Sequence, residues 1–134
     1  MSVIVTDTGF AADDFNGTFV PYEDTPDAPA LVLAPDTPHD RLTEIANSAQ
    51  AVAISFPSFS DGRGFTLARL LRLAGFTGRL RARGHVIADQ YTMARRAGFD
   101  EVEIDDDLAA RQPQEQWLFR ADHSAHDYQS RMRG

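Results

Sequence analysis

The side chains best suited to chemistry are concentrated in one short block, Asp61-Gly62-Arg63-Gly64-Phe65-Thr66. Gly62 and Gly64 permit close backbone approach. Arg63 between them can grip a carboxylate, phosphate or sulfur oxyanion as a two-pronged fork. Thr66 is placed to open a helix whose free N–H groups and positive dipole end suit an anion. A purely structural reading competes with this one: Asp61-Gly62 makes a turn, and Arg63 pairs with Asp61 or Asp89. The spacing is neither that of a P-loop nor that of a dinucleotide-binding loop. Arg81 and Arg83 alternate with Leu80 and Ala82, so in a strand they share one face. A buried arginine needs a partner. Asp61, Asp89 and Glu103 are the candidates, and the functional alternative is an anion pocket shared with Arg63. His85 stands just past Gly84, where a general base would sit, with Asp89 and Gln90 shortly after it.

Weaker constellations complete the search. His123 and His126, flanked by Asp122 and Asp127, have the spacing to share a helix face, but no third metal ligand is identifiable. Asp105-Asp106-Asp107 reads as a capped helix start rather than a magnesium site. Ser58 and Ser60 lack the G-x-S-x-G elbow and a placed His–Asp pair. No metal and no cofactor are expected.

The elements that must position these residues follow from pattern. Ala30 to Ala34 and Ala51 to Phe56 are short apolar runs of the kind buried on both faces of a parallel sheet. Between them, Thr37 reads as an N-cap and Pro38 as the first helical residue, ahead of a stripe at Leu42, Ile45, Ala46 and Ala49. Leu67, Leu70, Leu71 and Ala74 make a second stripe, with Thr66 as its cap. The segments Arg72-Leu73-Ala74-Gly75-Phe76-Thr77 and Arg95-Arg96-Ala97-Gly98-Phe99-Asp100 echo each other. Each reads as a helix ended by a glycine at positive φ, with a phenylalanine packing back on the last turn. Each leads into a strand, Arg79 to Arg83 and Glu101 to Ile104. Asp89 reads as the cap of a helix from Gln90 to Ala97. Four strand–helix steps in succession predict an α/β domain with a parallel sheet of about four strands and right-handed crossovers. Half of a β/α barrel is the alternative. Residues 1–29 are read as an N-terminal hairpin (Val3 to Val5 with Gly17 to Val20) and a proline-rich loop, 30–112 as the βα core, and 113–134 as a C-terminal helix and tail.

Composition limits function. The chain of 134 residues has the size of a single domain. It has no cysteine, so thiol nucleophiles, thiolate-held zinc and cysteine-held clusters are excluded. It has no lysine either, which removes Schiff-base chemistry. A net charge of −7 makes nucleic acid and anionic membranes poor partners. The N-terminus has no basic start and no long apolar run, and a cytoplasmic location is expected.

The stretch Phe56-Pro57-Ser58-Phe59-Ser60-Asp61-Gly62-Arg63-Gly64-Phe65, continued by Ala68 to Arg72, by Gly78 to Gly84, by Asp89-Gln90 and by Arg96 to Asp100, resembles the bacterial domain-of-unknown-function family 934. The likeness is dense over residues 51–104, thin before residue 30, and limited to Tyr128-Gln129 in the tail. Thr66 stands where that family commonly has serine, which keeps the hydroxyl. Members are typically encoded beside sulfite reductase and sulfate-assimilation genes, and some are labelled oxidoreductases of sulfite reduction. The resemblance therefore implies an accessory protein of assimilatory sulfite or sulfate reduction. Sulfite reduction needs six electrons and a metal or haem-type cofactor, for which this sequence has no evident holder, so association with a reductase is the expected mode of action. From the residues, Asp61, Gly62, Arg63, Gly64, Thr66, Arg81, His85, Asp89 and Gln90 are the expected small-anion site. Two alternatives stand. One is a small enzyme acting on a phosphorylated or sulfated metabolite through Asp61, His85 or Asp89. The other is a pure interaction module anchored by Trp117, Phe119 and Tyr128. Exposed sheet edges would favour a homodimer.

Overall fold

The computed structural model describes residues 2–121. Its frame is the pair of apolar runs joined by the arginine-bearing strand. Strands β4 (Ala30–Leu33), β5 (Ala51–Phe56), β6 (Arg79–Gly84) and β7 (Glu101–Asp105) lie side by side, in chain order and parallel. Helices α1 (Leu42–Ser48), α2 (Arg63–Leu73) and α3 (Tyr91–Ala97) join them, and α4 (Asp106–Arg111) follows β7. Leu31, Leu33, Val52, Ile54, Phe56, Leu80, Ala82, Val102 and Ile104 alternate along the strands and share one core with Ile45, Leu67, Leu71, Tyr91 and Ala94 of the helices. All three crossover helices therefore cover the same face. This is the winding of half a β/α barrel, left open.

The sheet has seven strands rather than about four, in the order β2-β1-β7-β6-β5-β4-β3. The extra strands come from residues 1–29. β1 (Ser2–Thr6) pairs antiparallel with β7 and with β2 (Gly9–Ala11). The hairpin is thus real, but its second strand is Gly9–Ala11, turned at Asp7-Thr8. Val20–Pro21 (β3) pairs with β4 at the far edge instead. Segment 12–19 must cross the whole sheet to connect them. The edge strands are three and two residues long, which blunts both edges and weakens the premise for a dimer built on edge pairing.

The repeated joint behaves as its residues dictate. Gly75 and Gly98 sit at φ +100° and +118°. Phe76 and Phe99 donate their N–H to Leu71 and Ala94 at 3.0 and 3.1 Å, and both rings are buried, as a Schellman end requires. Helix starts were harder to read. Thr37 spends its hydroxyl on Ala34 O at 2.6 Å, closing the exit from β4, and α1 follows a 3-10 turn at His39–Arg41. Asp105 does cap α4, accepting from Leu108 N at 2.8 Å.

A last helix, α5 (114–121), seals the end of the core. Trp117 is 1% exposed, stands edge-on to Tyr91 at 6.0 Å, and donates to Gln112 O. It is a core residue and not a partner anchor, whereas Phe119 is exposed. Tyr91 donates to Asp7 at 2.6 Å, and Arg95 pairs with the same carboxylate, so the hairpin turn is fastened to α3. Burial alone would raise the Asp7 carboxyl, but the Tyr91 and Arg95 bonds outweigh it and hold it low. His123, His126, Tyr128 and the final six residues lie outside the described residues.

Candidate functional site

The glycine–arginine block is mostly scaffold. Helix α2 begins at Arg63, with Gly62 as its N-cap, so Thr66 is an exposed first-turn residue and not the cap. A methyl group at Gly64 would stand 2.5 Å from the Phe56 ring. That ring also packs on Phe65 and Phe99, at 4.9 and 5.8 Å. Gly64 is therefore small so that α2 can seat on β5. Gly62 has open space around it. Asp61 accepts from Arg63 through N, Nε and Nη2, at 3.1, 3.0 and 2.7 Å. This hydrogen-bonded pairing holds the Asp61 carboxyl below its ordinary range and pushes the Arg63 guanidinium up. Arg63 and Thr66 line a cleft of about 440 Å³ with Asp36, Thr37 and His39.

Arg81 does not join Arg63. With Arg79 and Arg83 it projects from β6 on the face opposite the helices, and its side chain is 0% exposed. Glu101 accepts from its Nε at 2.6 Å, Glu103 from Nη1 at 2.8 Å, and both oxygens of Asp13 from its terminal nitrogens at 2.9 and 2.8 Å. Arg79 binds Glu101 and Asp14, and Arg83 binds Glu103. Phe15 lies over Arg79, Phe19 over Arg81 and Arg83, and the two rings stack at 4.6 Å. The counter-anion that this buried arginine demands comes from the chain itself. Of the expected partners only Glu103 is used, and Asp61 and Asp89 are not. The Arg81 bond is the chief reason that the Asp13 carboxyl falls to about 2.

A different rim cleft gathers an arginine and a histidine whose side chains are unpaired among the described residues. Beyond the carboxyl ends of β6 and β7, about 480 Å³ is lined by Phe59, His85, Ile87, Leu108, Arg111 and Gln112. The backbone holds His85 in place. Gly84 takes φ +119°, any side chain there would meet Phe56 O at 2.6 Å, and His85 N donates to that oxygen. The neighbouring backbone donors are satisfied: Ile87 N by Gln90 Oε1 and Ala88 N by Gln112 Oε1. Gln90 also ties the Phe59 loop down, donating to Phe59 O at 2.7 Å. Among the described residues, the side chains of His85 and Arg111 have no hydrogen-bond or ion-pair partner, and no carboxylate lines the cleft. Asp89 does not cap α3, which follows a 3-10 turn at Ala88–Gln90; it pairs with Arg120 of α5 at 2.7 Å.

The structure thus splits the expected anion site into three places: Arg63 and Thr66 at one cleft, His85 at a second with Gln90 supporting it, and Arg81 inside an ion-pair ladder on the reverse face. Arg111, Phe59 and Gln112 escaped the sequence reading because they come from different loops and show no motif. Asp13 and Glu101 could have been found by asking which acids a buried arginine would recruit. Among the described residues no group of three or more His, Cys, Asp or Glu is placed to hold a metal ion.

A half-barrel-wound sheet, its crossover helices on one face and an arginine–carboxylate ladder on the other, defines the class: a small βα domain with ligand-sized clefts on the carboxyl rim. The chain belongs to the bacterial protein family of unknown function DUF934, whose family model matches residues 30–134. No curated protein and no solved structure matches it. No helix among the described residues is long and apolar enough to cross a membrane.

Proposed function

We propose that the protein is an accessory component of assimilatory sulfite or sulfate reduction that binds a small oxyanion on its carboxyl rim and acts in association with a reductase. The sulfur assignment rests on the neighbourhood in which members of this family are encoded. The anion reading rests on one observation: His85 and Arg111 face a common cleft to which no carboxylate of the described residues contributes. The rim of a parallel sheet is where α/β domains place their ligands, and the cleft volume is in the range of small-molecule sites. A guanidinium with apolar Phe59, Ile87 and Leu108 around it offers charge-assisted bonds in a partly dry setting.

Titration calorimetry with sulfite, sulfate and phosphate tests the site. Binding should be lost in Arg111→Ala, weakened in His85→Ala and retained in Arg63→Ala. Equal silence from the wild type toward all three anions would remove the anion reading. Deletion of the gene should block growth on sulfate but not on cysteine, and indifferent growth would remove the sulfur assignment.

A further inference from the structure

We propose that residues 12–19 are a displaceable strap lying in a carboxylate-recognition groove formed by Arg79, Arg81 and Arg83, and that this groove takes an acidic–aromatic segment of a partner protein when the strap lifts away.

The ladder is complete without the strap. Glu101 and Glu103 bind all three arginines from within the sheet, so two carboxylates meet three guanidinium groups and one positive charge is left over. Glu101 on Nε and Glu103 on Nη1 fix the Arg81 side chain in one pose. Its terminal nitrogens are then presented outward as a fork, and Asp13 fills that fork with both oxygens. A guanidinium buried, oriented from below and open at its fork is how a protein recognises a carboxylate from outside.

The strap itself is lightly held. Asp13 is 40% and Asp14 82% exposed. Within 12–19, only Phe15 and Phe19 are even partly buried. Its grip consists of ion pairs and ring-over-guanidinium contacts. An open cleft of about 480 Å³ borders it, lined by Phe15 and Thr18 of the strap and by Gln50 and Arg79. The ladder lies inside the region that the family model matches, and the strap lies outside it. The chemistry of the occupant is set by the strap: two adjacent carboxylates, an aromatic residue directly after them, and a second aromatic four residues on. A segment of that composition, bent so that its two rings stack as Phe15 and Phe19 do, engages the groove by charge and ring contacts.

The test uses the full chain and a fluorescent peptide copying residues 11–20, read by anisotropy. Wild type binds it weakly, because the tethered strap competes at an effective concentration on the order of millimolar. Asp13→Asn/Asp14→Asn should bind the peptide at least about tenfold more tightly. A peptide carrying the same two changes should bind neither protein. The glutamates keep the ladder satisfied, so the fold is expected to survive. Phe19→Ser, which loosens the strap by its other contact, gives the second reading should the double variant not fold. Folded variants that bind the peptide no better than wild type would overturn the proposal. A wild-type dimer formed by strap exchange, seen by sedimentation, would also overturn it by making the occupant a second copy of this chain.

Discussion

Replacing each glycine of the Asp61–Phe65 block with alanine separates a packing role from a ligand role. At Gly64 the added methyl would lie 2.5, 2.8 and 2.9 Å from three atoms of the Phe56 ring, where ordinary contact begins near 3.4 Å. The ring is 2% exposed and wedged against Phe65 and Phe99, so it cannot swing away. Overpacking of this kind costs about 1–3 kcal/mol. The gain in helix propensity on replacing glycine returns up to about 1 kcal/mol. The net expectation is a loss of about 1–2 kcal/mol, or a Tm lower by about 4–8 °C. At Gly62 nothing lies within 4 Å and φ is −87°. There the reduced freedom of the unfolded chain offsets the weaker cap, and the change should stay within about 0.5 kcal/mol. Urea unfolding and calorimetric Tm measure both variants. If Gly64→Ala is as stable as wild type but loses oxyanion binding, the glycine serves a ligand and the packing argument is refuted.

Other substitutions probe the charged face and the closing helix. The Arg81 bond holds the Asp13 carboxyl down at about 2 in the folded chain, against an ordinary value of 3.8 when unfolded. The unfolded state therefore binds the proton first, and stability falls as pH drops from about 4 to about 2. Because this carboxylate is 40% exposed, screening reduces its share to about 1 kcal/mol or less. Asp13→Asn should flatten that part of an acid-unfolding curve. Glu101→Gln strips a charge from the buried end of the ladder, where Arg79 and Arg81 both lean on it; the expected loss is about 3 kcal/mol by urea unfolding. Trp117→Ala should cost about 3–5 kcal/mol and release α5 from α3, visible as lost hydrogen-exchange protection over 114–121. Arg63→Ala should change stability by less than about 0.5 kcal/mol, since its only pairing among the described residues is an exposed one with Asp61.

Much of the scaffold is written locally. Ala51 to Phe56 is apolar but for Ser55 because it is buried on both faces, and its bounds are those of β5. The two Ala-Gly-Phe joints announce their own geometry, since only glycine takes the required φ without strain and the next ring has nowhere else to pack. The four βα steps follow from such signals. Helix starts were misread at Thr37, Thr66 and Asp89 because a hydroxyl or carboxylate has several backbone and side-chain suitors nearby. Which one it takes depends on where the strand before it ends.

The site was far less legible. Alternation put Arg79, Arg81 and Arg83 on one strand face, and electrostatics required that a buried arginine find anions. That the anions would be Asp13 and Glu101 depended on a crossing segment more than sixty residues away in the chain and on the β6–β7 register. Likewise His85 was visible as a residue past a strand end, but Arg111 and Phe59 became its neighbours only when α4 and the β5–α2 loop folded to the same rim. The sequence by itself determined the four parallel strands, the glycine-ended helix joints and the need for internal charge balance, because these rest on hydrophobic period and on the cost of an unpaired charge. The tertiary structure decided which charges cancel and which stay open to a ligand, because that choice is made by contacts between segments distant in sequence.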